Sequence, residues 1–398
     1  MLPDLNSLLE DKQPELDAWL TTQRASRKMP IHASVDIRDA GWKAAVVDAN
    51  FFPAGFNNVP LTDRPDMAAL ARAYLESHHG EVEHIHIYPE SHTRNPGYIE
   101  NLLSLAALLA DAGYRVSVGS PQLNGYALLA GLSGELDVDE VSISSDDRLL
   151  VADGTPDVIL LNHDLTGGRL PGLEGAVEPP VSVGWHHRRK SDHFRHLDPL
   201  VKQAASIIDI DPWLLSPLWL VSEDRCLDQE ECKTLLAAQI NDMISRIAVK
   251  YDEHDVQREP VIYVKNDRGT YGLGIMAITE GEQILDLSRR AMKKLTYGKG
   301  GNSAENFLIQ EGVPTALSQA GAPVEPVAYT VGGERSFWFF RVNPDRDDIG
   351  NLNSPAARFL HLDQLDSELV DKVGTCAAWY ELLASLSFLA MADEMSSA

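Results

Sequence analysis

The stretch Val261-Ile-Tyr-Val-Lys-Asn-Asp-Arg-Gly-Thr-Tyr-Gly-Leu-Gly-Ile-Met276 decides how the chain is read. It opens on a β-branched and aromatic run of the kind found in buried strands. Lys265 stands at the strand end, and a loop with Gly269, Gly272 and Gly274 follows. Glycines let backbone N–H groups approach an anion closely, so such a loop can wrap phosphate oxygens beside the lysine charge. The plainer alternative is a hairpin with a glycine turn and an exposed lysine. Two other nucleotide motifs fail. The Walker pattern is absent, because Gly298-Lys299 is followed by Gly300 and Lys293 stands where its first glycine belongs. Gly272-Leu-Gly274-Ile-Met-Ala277 matches the dinucleotide fingerprint loosely, but that fingerprint must open a helix. Here Ile275 to Thr279 reads as a second strand. Strand, glycine loop and strand together make a flap over a nucleotide.

Composition narrows the field. The 398 residues suggest two or three domains, and 44% hydrophobic with 23% charged residues is the balance of a folded protein. A formal charge of −25 repels nucleic acid and anionic membranes, so neither is expected as a partner. In so acidic a chain, local clusters of Arg and Lys become informative. Three cysteines (Cys226, Cys232, Cys376) give no disulfide framework or zinc spacing, which fits a reducing compartment. The opening residues lack a basic, apolar leader, and no run approaches the roughly 18 apolar residues of a membrane span. The expectation is a cytoplasmic protein, with a homo-oligomer left open.

Taken in order, residues 4–28 show helical spacing, and Ser34–Arg38 and Lys43–Asp48 read as strands. The loop Asn50–Asn58 carries Asn50, Asn57 and Asn58, either polar ligand contacts or ordinary turn formers. A helix over Met67–His78 precedes a strand, Val82–Tyr88, whose His84 and His86 share a face. With no third ligand at useful spacing, these histidines read as a strand face rather than a metal site. The polar loop Pro89–Pro96 then leads into an apolar helix, Ile99–Ala112. Ligands gather beyond the carboxyl ends of strands in α/β sheets, which makes Glu90 and Arg94 candidates for holding a zwitterion. Arg115–Gly119 completes a strand–helix–strand unit, and Asp157–Asn162 is another buried-type strand. Gly184-Trp-His-His-Arg-Arg-Lys-Ser-Asp-His193 is the densest cationic patch, so Arg188 and Lys190 become candidates for substrate carboxylate or phosphate, against the alternative of a solvated face.

A boundary near Pro212–Ser222 divides an N-terminal α/β region (1–215) from the remainder (216–398). Beyond the flap come an amphipathic helix (Glu282–Leu295), a link over Thr296–Asn302, and a strand ending at Gln310-Glu311. A hairpin then turns at Gly332-Gly333 and delivers Arg341 to a loop of acids and asparagines with Asp345, Asn351 and Asn353. Leu369–Met391 closes the chain as a long helix.

Strand, lysine, glycine flap, strand, helix, strand and acid, then a hairpin with Arg and Asn, resembles the ATP-grasp fold, in which ATP lies between two antiparallel sheets. That resemblance implies that Lys265, Gly269, Thr270, Gly272 and Gly274 hold phosphates and that Gln310 and Glu311 border adenine. A narrower resemblance spans nearly the whole chain. Asp48–Asn58, His92-Thr-Arg-Asn95, Gly184–Phe194, Tyr263-Val-Lys265, Gly269–Met276, Phe340–Asn343 and Asn351–Pro355 are similar to blocks of the proteobacterial glutamate–cysteine ligase family. It implies a ligase using ATP and Mg²⁺ to activate the γ-carboxylate of glutamate as an acyl phosphate, which the amine of cysteine captures. By that resemblance Lys265, Arg341 and Arg94 serve catalysis; Glu90, Arg94, Asn57, Asn58, Arg188 and Lys190 hold substrate; Asn351, Asn353 and Asp345 are the candidate metal ligands. The chain departs from the pattern at Asn266 and Arg268, at His163 in place of Asn, and in lacking a Glu-x-Asn pair unless Arg341-Val-Asn343 is its altered form. A ligase for other amino acids, and a nucleotide-binding regulator without turnover, remain as alternatives.

Overall fold

The computed structural model describes residues 2–223, 226–268, 274–297 and 306–398, with side chains from residue 5 onward. Helix α1 (Leu2–Ala25) leads into β1 (His32–Asp39) and β2 (Ala44–Asn50). Next come α2 (Arg64–His79), β3 (His84–Pro89), α3 (Pro96–Asp111) and β4 (Arg115–Val118). Two small ribbons follow, β5 (Leu128–Ala130) with β6 (Glu135–Asp137) and β7 (Ser142–Ile143) with β8 (Leu149–Leu150). After β9 (Val158–Asn162) and β10 (Val177–Glu178), α4 (Lys190–Ile208), β11 (Trp219–Ser222) and α5 (Glu230–Glu253) continue the chain. The last part holds β12 (Ile262–Asn266), β13 (Ile275–Ile278), α6 (Glu282–Leu285), α7 (Arg289–Thr296) and β14 (Phe307–Glu311). It ends with β15 (Ser318–Gln319), β16 (Ala322–Val331), β17 (Ser336–Val342), β18 (Arg358–Leu360) and α8 (Ser367–Ser397).

These elements make a mixed α/β architecture with several antiparallel sheets. The strand–helix–strand unit read from Val82 to Gly119 is present, and it belongs to a parallel sheet ordered β10-β9-β3-β4. Its histidines are strand residues: Ser117 Oγ lies 2.7 Å from both His84 Nε2 and His86 Nδ1, and His86 Nε2 meets the Gly119 carbonyl at 2.9 Å. A second sheet, β11-β14-β12-β13, is antiparallel, so the strand, loop and strand reading of 261–279 describes this part of the chain. The loop residues Gly269, Thr270 and Gly272, and the link around Gly298–Asn302, lie outside the described residues. The largest sheet, β18-β17-β16-β1-β2 with β15 on β16, pairs strands from the two ends of the chain. The boundary read near residue 215 therefore falls between segments that share a sheet. Gly332 and Gly333 turn the β16–β17 hairpin with φ of 69° and 73°, a left-handed pair that favours glycine.

Two expectations need adjusting. The helix read over Glu282–Leu295 is two helices, because Ser288 caps α7 with its Oγ accepting from Ala291 N at 3.2 Å. The closing helix α8 has an 18-residue window long and apolar enough to cross a membrane by composition, contrary to the sequence reading. That window is 72% buried against the protein, as a core helix is. Leu382, Leu386, Leu389 and Met391 pack with the large sheet and α4 in one apolar cluster.

Buried charges fix how these layers meet. Lys43 and Glu311 are both buried, with Nζ 3.0 Å from Oε2; Trp213 Nε1 and the Leu218 N–H also donate to that carboxylate. Burial pushes the lysine down to about 8 even though Glu311 pulls it back up. Breaking a buried pair strands the surviving charge, at about 3–5 kcal/mol. Lys43→Met is expected to lower unfolding stability by about that much in denaturant titrations. Lys43→Met combined with Glu311→Leu is expected to recover a large part of the loss, because no lone carboxylate is then left inside.

Candidate active site

The floor of the site follows from strand periodicity. Ser34, Asp36 and Arg38 alternate along β1 with apolar residues that face the core. The register pairs Ser34 with Asn50 and Tyr329, and Asp36 with Asp48, which puts these side chains on one face. Arg341 on β17, opposite Glu325, belongs to the same face. The face floors a cleft of about 750 Å³. Its walls are the loop Phe52–Asn58, the His92–Tyr98 loop at the carboxyl end of β3, Asp164 beyond β9, and Trp185 with Lys190. Asn353 and Phe359 form the rim.

Charge on the floor is arranged in two groups. Arg341 bridges Asp36 at 2.8 and 3.2 Å and also pairs with Glu325, which Arg38 grips from its other side. Burial pushes the Asp36 carboxyl up, against the Arg341 charge. Burial also opposes ionisation of Glu325, but Arg38 and Arg341 outweigh it and hold that carboxyl low. The buried Nε of Arg341 has no hydrogen-bond partner among the described residues. The second group gathers on Asp48. Lys190 Nζ lies 2.6 Å from Asp48 Oδ1, over the Trp185 ring, while Lys265 donates to the Val47 carbonyl at 3.0 Å. Burial of Asp48 is outweighed by Lys190 and then Lys265, and its carboxyl is held low. Burial pushes Lys265 down to about 8, with Asp48 opposing.

The end of β12 is tied to the start of α4. Asp267 accepts from Ser191 N at 2.8 Å and Ser191 Oγ at 2.7 Å, and its carbonyl accepts from Lys190 N. Asn266 accepts from Arg268 N and donates to the Thr296 carbonyl. The residues at the end of β12 are thus held by the starts and ends of neighbouring helices, α4 and α7. Gly274 has φ of 69°, and a Cβ there would lie 2.8 Å from the Asn266 side chain. Only glycine suits both conditions.

Tyr263, Lys265 and Gln310 share one face of the second antiparallel sheet, since Tyr263 pairs directly with Gln310. Both amide atoms of Gln310, and the Tyr263 hydroxyl, are buried without a hydrogen-bond partner among the described residues. Unsatisfied buried amides are costly, so these atoms suit a ligand with matching donors and acceptors. Glu311 points to the opposite face, toward Lys43.

Of the residues named from sequence, Asn57, Asn58, Lys190, Arg341 and Asn353 line the cleft. Glu90 is buried beside it, accepting from Asp164 N at 3.2 Å, with His163 and His92 nitrogens 3.6 and 3.7 Å away. Arg94 is exposed on the same loop and does not line the cleft. Arg188 lies behind Trp185, gripping Glu394 at 2.7 Å and the Ala49 carbonyl at 2.7 Å. Asn351 Oδ1 accepts from Asn353 N, and Asp345 is exposed, its N–H bound by Asn343. Glu90, His163 and Asp164 bring possible metal-ligand atoms within 4.8 Å of one another. Leu165 N–H donates to His163 Nδ1, however, which places the proton of the neutral ring on Nε2, the atom facing Glu90. That tautomer suits hydrogen bonding better than metal ligation. Sequence reading missed Asp36, Asp48, Tyr329 and Asp164. A signal existed for Asp36: polar residues alternate through an otherwise apolar strand.

A family model for GshA, glutamate–cysteine ligase, matches residues 6–395. Among solved structures, a candidate γ-glutamylcysteine synthetase from Methylobacillus flagellatus KT superposes with a TM-score of 0.91 at 32% identity, covering 100% of this chain and 96% of that one. The D-alanyl-alanine synthetase A of Vibrio cholerae gives a TM-score of 0.33 at 12% identity, over 75% of this chain and 80% of that one. A glutathione synthetase-like effector from Globodera pallida gives 0.39 at 10%, over 85% and 81%. A search of the curated proteins finds no match.

If Lys265 meets a phosphoryl group, Lys265→Ala is expected to cut phosphate release by roughly 30- to 1000-fold, about 2–4 kcal/mol, with the fold retained. Its charge is present below its folded value of about 8 and lost above it, well short of its ordinary 10.5. The wild-type kcat/KM for nucleotide should therefore decline as pH rises through 8. Unchanged turnover in a folded mutant removes Lys265 from the chemistry.

Proposed function

The chain belongs to the glutamate–cysteine ligase family, and we propose that the cleft on its largest sheet is where both amino acids meet the γ-phosphate of ATP. The protein is an ATP-dependent ligase that joins the γ-carboxylate of glutamate to the amine of cysteine through an acyl phosphate, the first step of glutathione synthesis. In the proposed arrangement the sheets β11-β14-β12-β13 and β18-β17-β16-β1-β2 act as the two jaws of an ATP-grasp. The N-terminal region, residues 1–215, supplies most of the amino-acid walls, and residues 216–398 supply the nucleotide face.

The observation that carries this reading is the convergence of Lys190 and Lys265 on Asp48, where the cleft floor adjoins the Tyr263–Gln310 face. Two cations against one carboxylate leave positive charge at that seam, suited to a transferring phosphoryl group. The unpartnered Gln310 amide offers a donor and an acceptor, matching the hydrogen-bonding edge of adenine. Backbone N–H groups of Gly269–Gly274 would cover the phosphates. Glutamate's γ-carboxylate oxygen attacks the γ-phosphorus, and the bond to the β-phosphate oxygen breaks to release ADP. Arg341, which lines the cleft, would face that carboxylate with its guanidinium. Cysteine's amine nitrogen, once deprotonated, attacks the acyl carbon, forming the C–N bond and expelling phosphate. Asn57, Asn58 and Lys190 hold the amino acids, and Glu90 with Asp164 faces their ammonium groups. Arg94 stands at the entrance. Arg188 acts behind the site, seating Trp185 and Ala49.

Mg²⁺, when bound, would supply positive charge against the phosphate oxygens as the phosphoryl group transfers. Asn353 on the cleft rim, with Asp345 and Asn351 in the same loop, offers the hard oxygen donors this ion prefers.

Purified protein with Mg-ATP is expected to release phosphate only when glutamate and cysteine are both present, and not without Mg²⁺. Tight ATP binding with no turnover for any amino-acid pair would overturn the placement of both substrates in this cleft. Lys190→Ala should raise the KM for glutamate roughly 10- to 100-fold, the loss of one charged hydrogen bond, and also lower kcat, since the same ammonium faces the transferring phosphoryl group. Wild-type KM and kcat in a folded Lys190→Ala variant would remove Lys190 from the site.

A further inference from the structure

The cationic segment Gly184–Phe194 walls two cavities. Trp185 and Lys190 face the active-site cleft, while His186, His187 and Arg188 face a second cavity of about 730 Å³ on the other side. His196 from α4, Glu394 from α8 and Arg169 complete the parts that matter here. The acids in this wall are already engaged. Glu394 is held by Arg188 at 2.7 Å and by His193 Nδ1 at 2.7 Å, and Asp192 by Arg195 at 2.5 Å. The imidazoles are differently placed. His186 and His187 lie with ring centroids 4.3 Å apart, and the buried Nδ1 of His186 has no partner among the described residues. When that ring gains a proton, Leu165 offers it one backbone acceptor, but Nδ1 has no hydrogen-bond partner among the described residues. An oxyanion in the cavity would provide one.

We propose that this second cavity is a binding site for a small multivalent oxyanion, held by His186, His187 and His196 and coupled to the active-site cleft through Arg188. The coupling has a physical path. The Arg188 guanidinium is stacked between Phe51 and Trp185, at 4.8 and 4.9 Å, and donates to both Glu394 and the Ala49 carbonyl. Ala49 and Trp185 line the cleft, and Ala49 is the neighbour of Asp48. An anion beside Arg188 competes with Glu394 for its donors, and so alters how firmly β2 and Trp185 are seated. Protonation of the imidazoles favours the anion, although burial and then His187 hold His186 down. Arg188 and Arg169, the latter shared with Glu174 and Asp147, add to the attraction, and Asp192 and Glu394 oppose it.

The test uses the full chain with citrate and, separately, inorganic phosphate as probes, titrated by calorimetry with glutamate saturating. Binding is expected to persist under saturating glutamate and to be at least about threefold tighter at pH 6 than at pH 8. His187→Glu, at an exposed position, and His196→Gln should each weaken it about tenfold or more, as loss of a charged hydrogen bond does. With the cavity saturated, the KM for glutamate should shift at least about twofold in wild type, and not in His187→Glu, whose basal activity stays at wild type. Binding of citrate alone identifies carboxylates as the ligand class, and of phosphate alone a phosphoryl anion. Displacement by glutamate, full-strength binding in both variants, or no binding of either probe overturns the site. Binding with an unshifted KM overturns the coupling. The binding outcomes stand apart from the ligase assay, because anion binding is read without turnover, while the shift in KM rests on the proposed function.

Discussion

A chain with a net charge of −25 has no shortage of acids, yet each cation it buries still requires an acid or carbonyl placed to receive it. Lys43 reaches Glu311 across 268 residues of sequence, Arg38 reaches Glu325 across 287, and Arg188 reaches Glu394 across 206. Such pairs contribute little net stability compared with apolar packing, but they penalise any arrangement that separates the partners. Each joins an element from the first half of the chain to one from the second. Lys43–Glu311 ties the β1–β2 hairpin of the large sheet to β14 of the second antiparallel sheet, Arg38–Glu325 ties β1 to β16 within the large sheet, and Arg188–Glu394 ties the segment before α4 to α8. The cleft floor is held in one relation to its neighbours by these ties.

The two charge groups on the cleft floor differ in balance, and the difference has a functional meaning. Asp36 and Glu325 face Arg38 and Arg341, two acids against two cations, so the charges there balance. At Asp48, two lysines share one carboxylate. The excess is unfavourable in the free protein, and burial lowers Lys265 accordingly. In the proposed reading an arriving phosphate anion relieves it. The arrangement trades stability of the resting site for affinity where negative charge moves during phosphoryl transfer.

Much of the local structure was legible in the sequence, for reasons that are themselves local. The β-branched run at Ile262–Val264 and the alternation along Ser34–Arg38 each specify a strand, and paired glycines at 332 and 333 specify a tight hairpin. The break at Ser288 was missed because an N-cap interrupts a helix without disturbing its apolar spacing. Site residues were legible where loops were unusually polar, as at Asn57, Asn58 and Lys190, which line the cleft. Arg188 shows the limit of that signal. It sits in the densest cationic stretch, but one position away the helix start turns the side chain inward, toward Glu394.

By itself the sequence determined the strands on either side of the glycine loop, the cationic segment and, through several blocks in one order, the family. These follow from side-chain period, backbone freedom and motif spacing, all properties of neighbouring residues. Only the tertiary structure decided that β1 pairs with β16, that Asp36 and Asp48 floor the cleft, and that Glu311 turns toward Lys43 while Gln310 turns toward Tyr263. It also decided that one cationic segment divides into two walls. Strand period says that adjacent residues face opposite ways, but which face meets the ligand depends on what the rest of the chain packs against it.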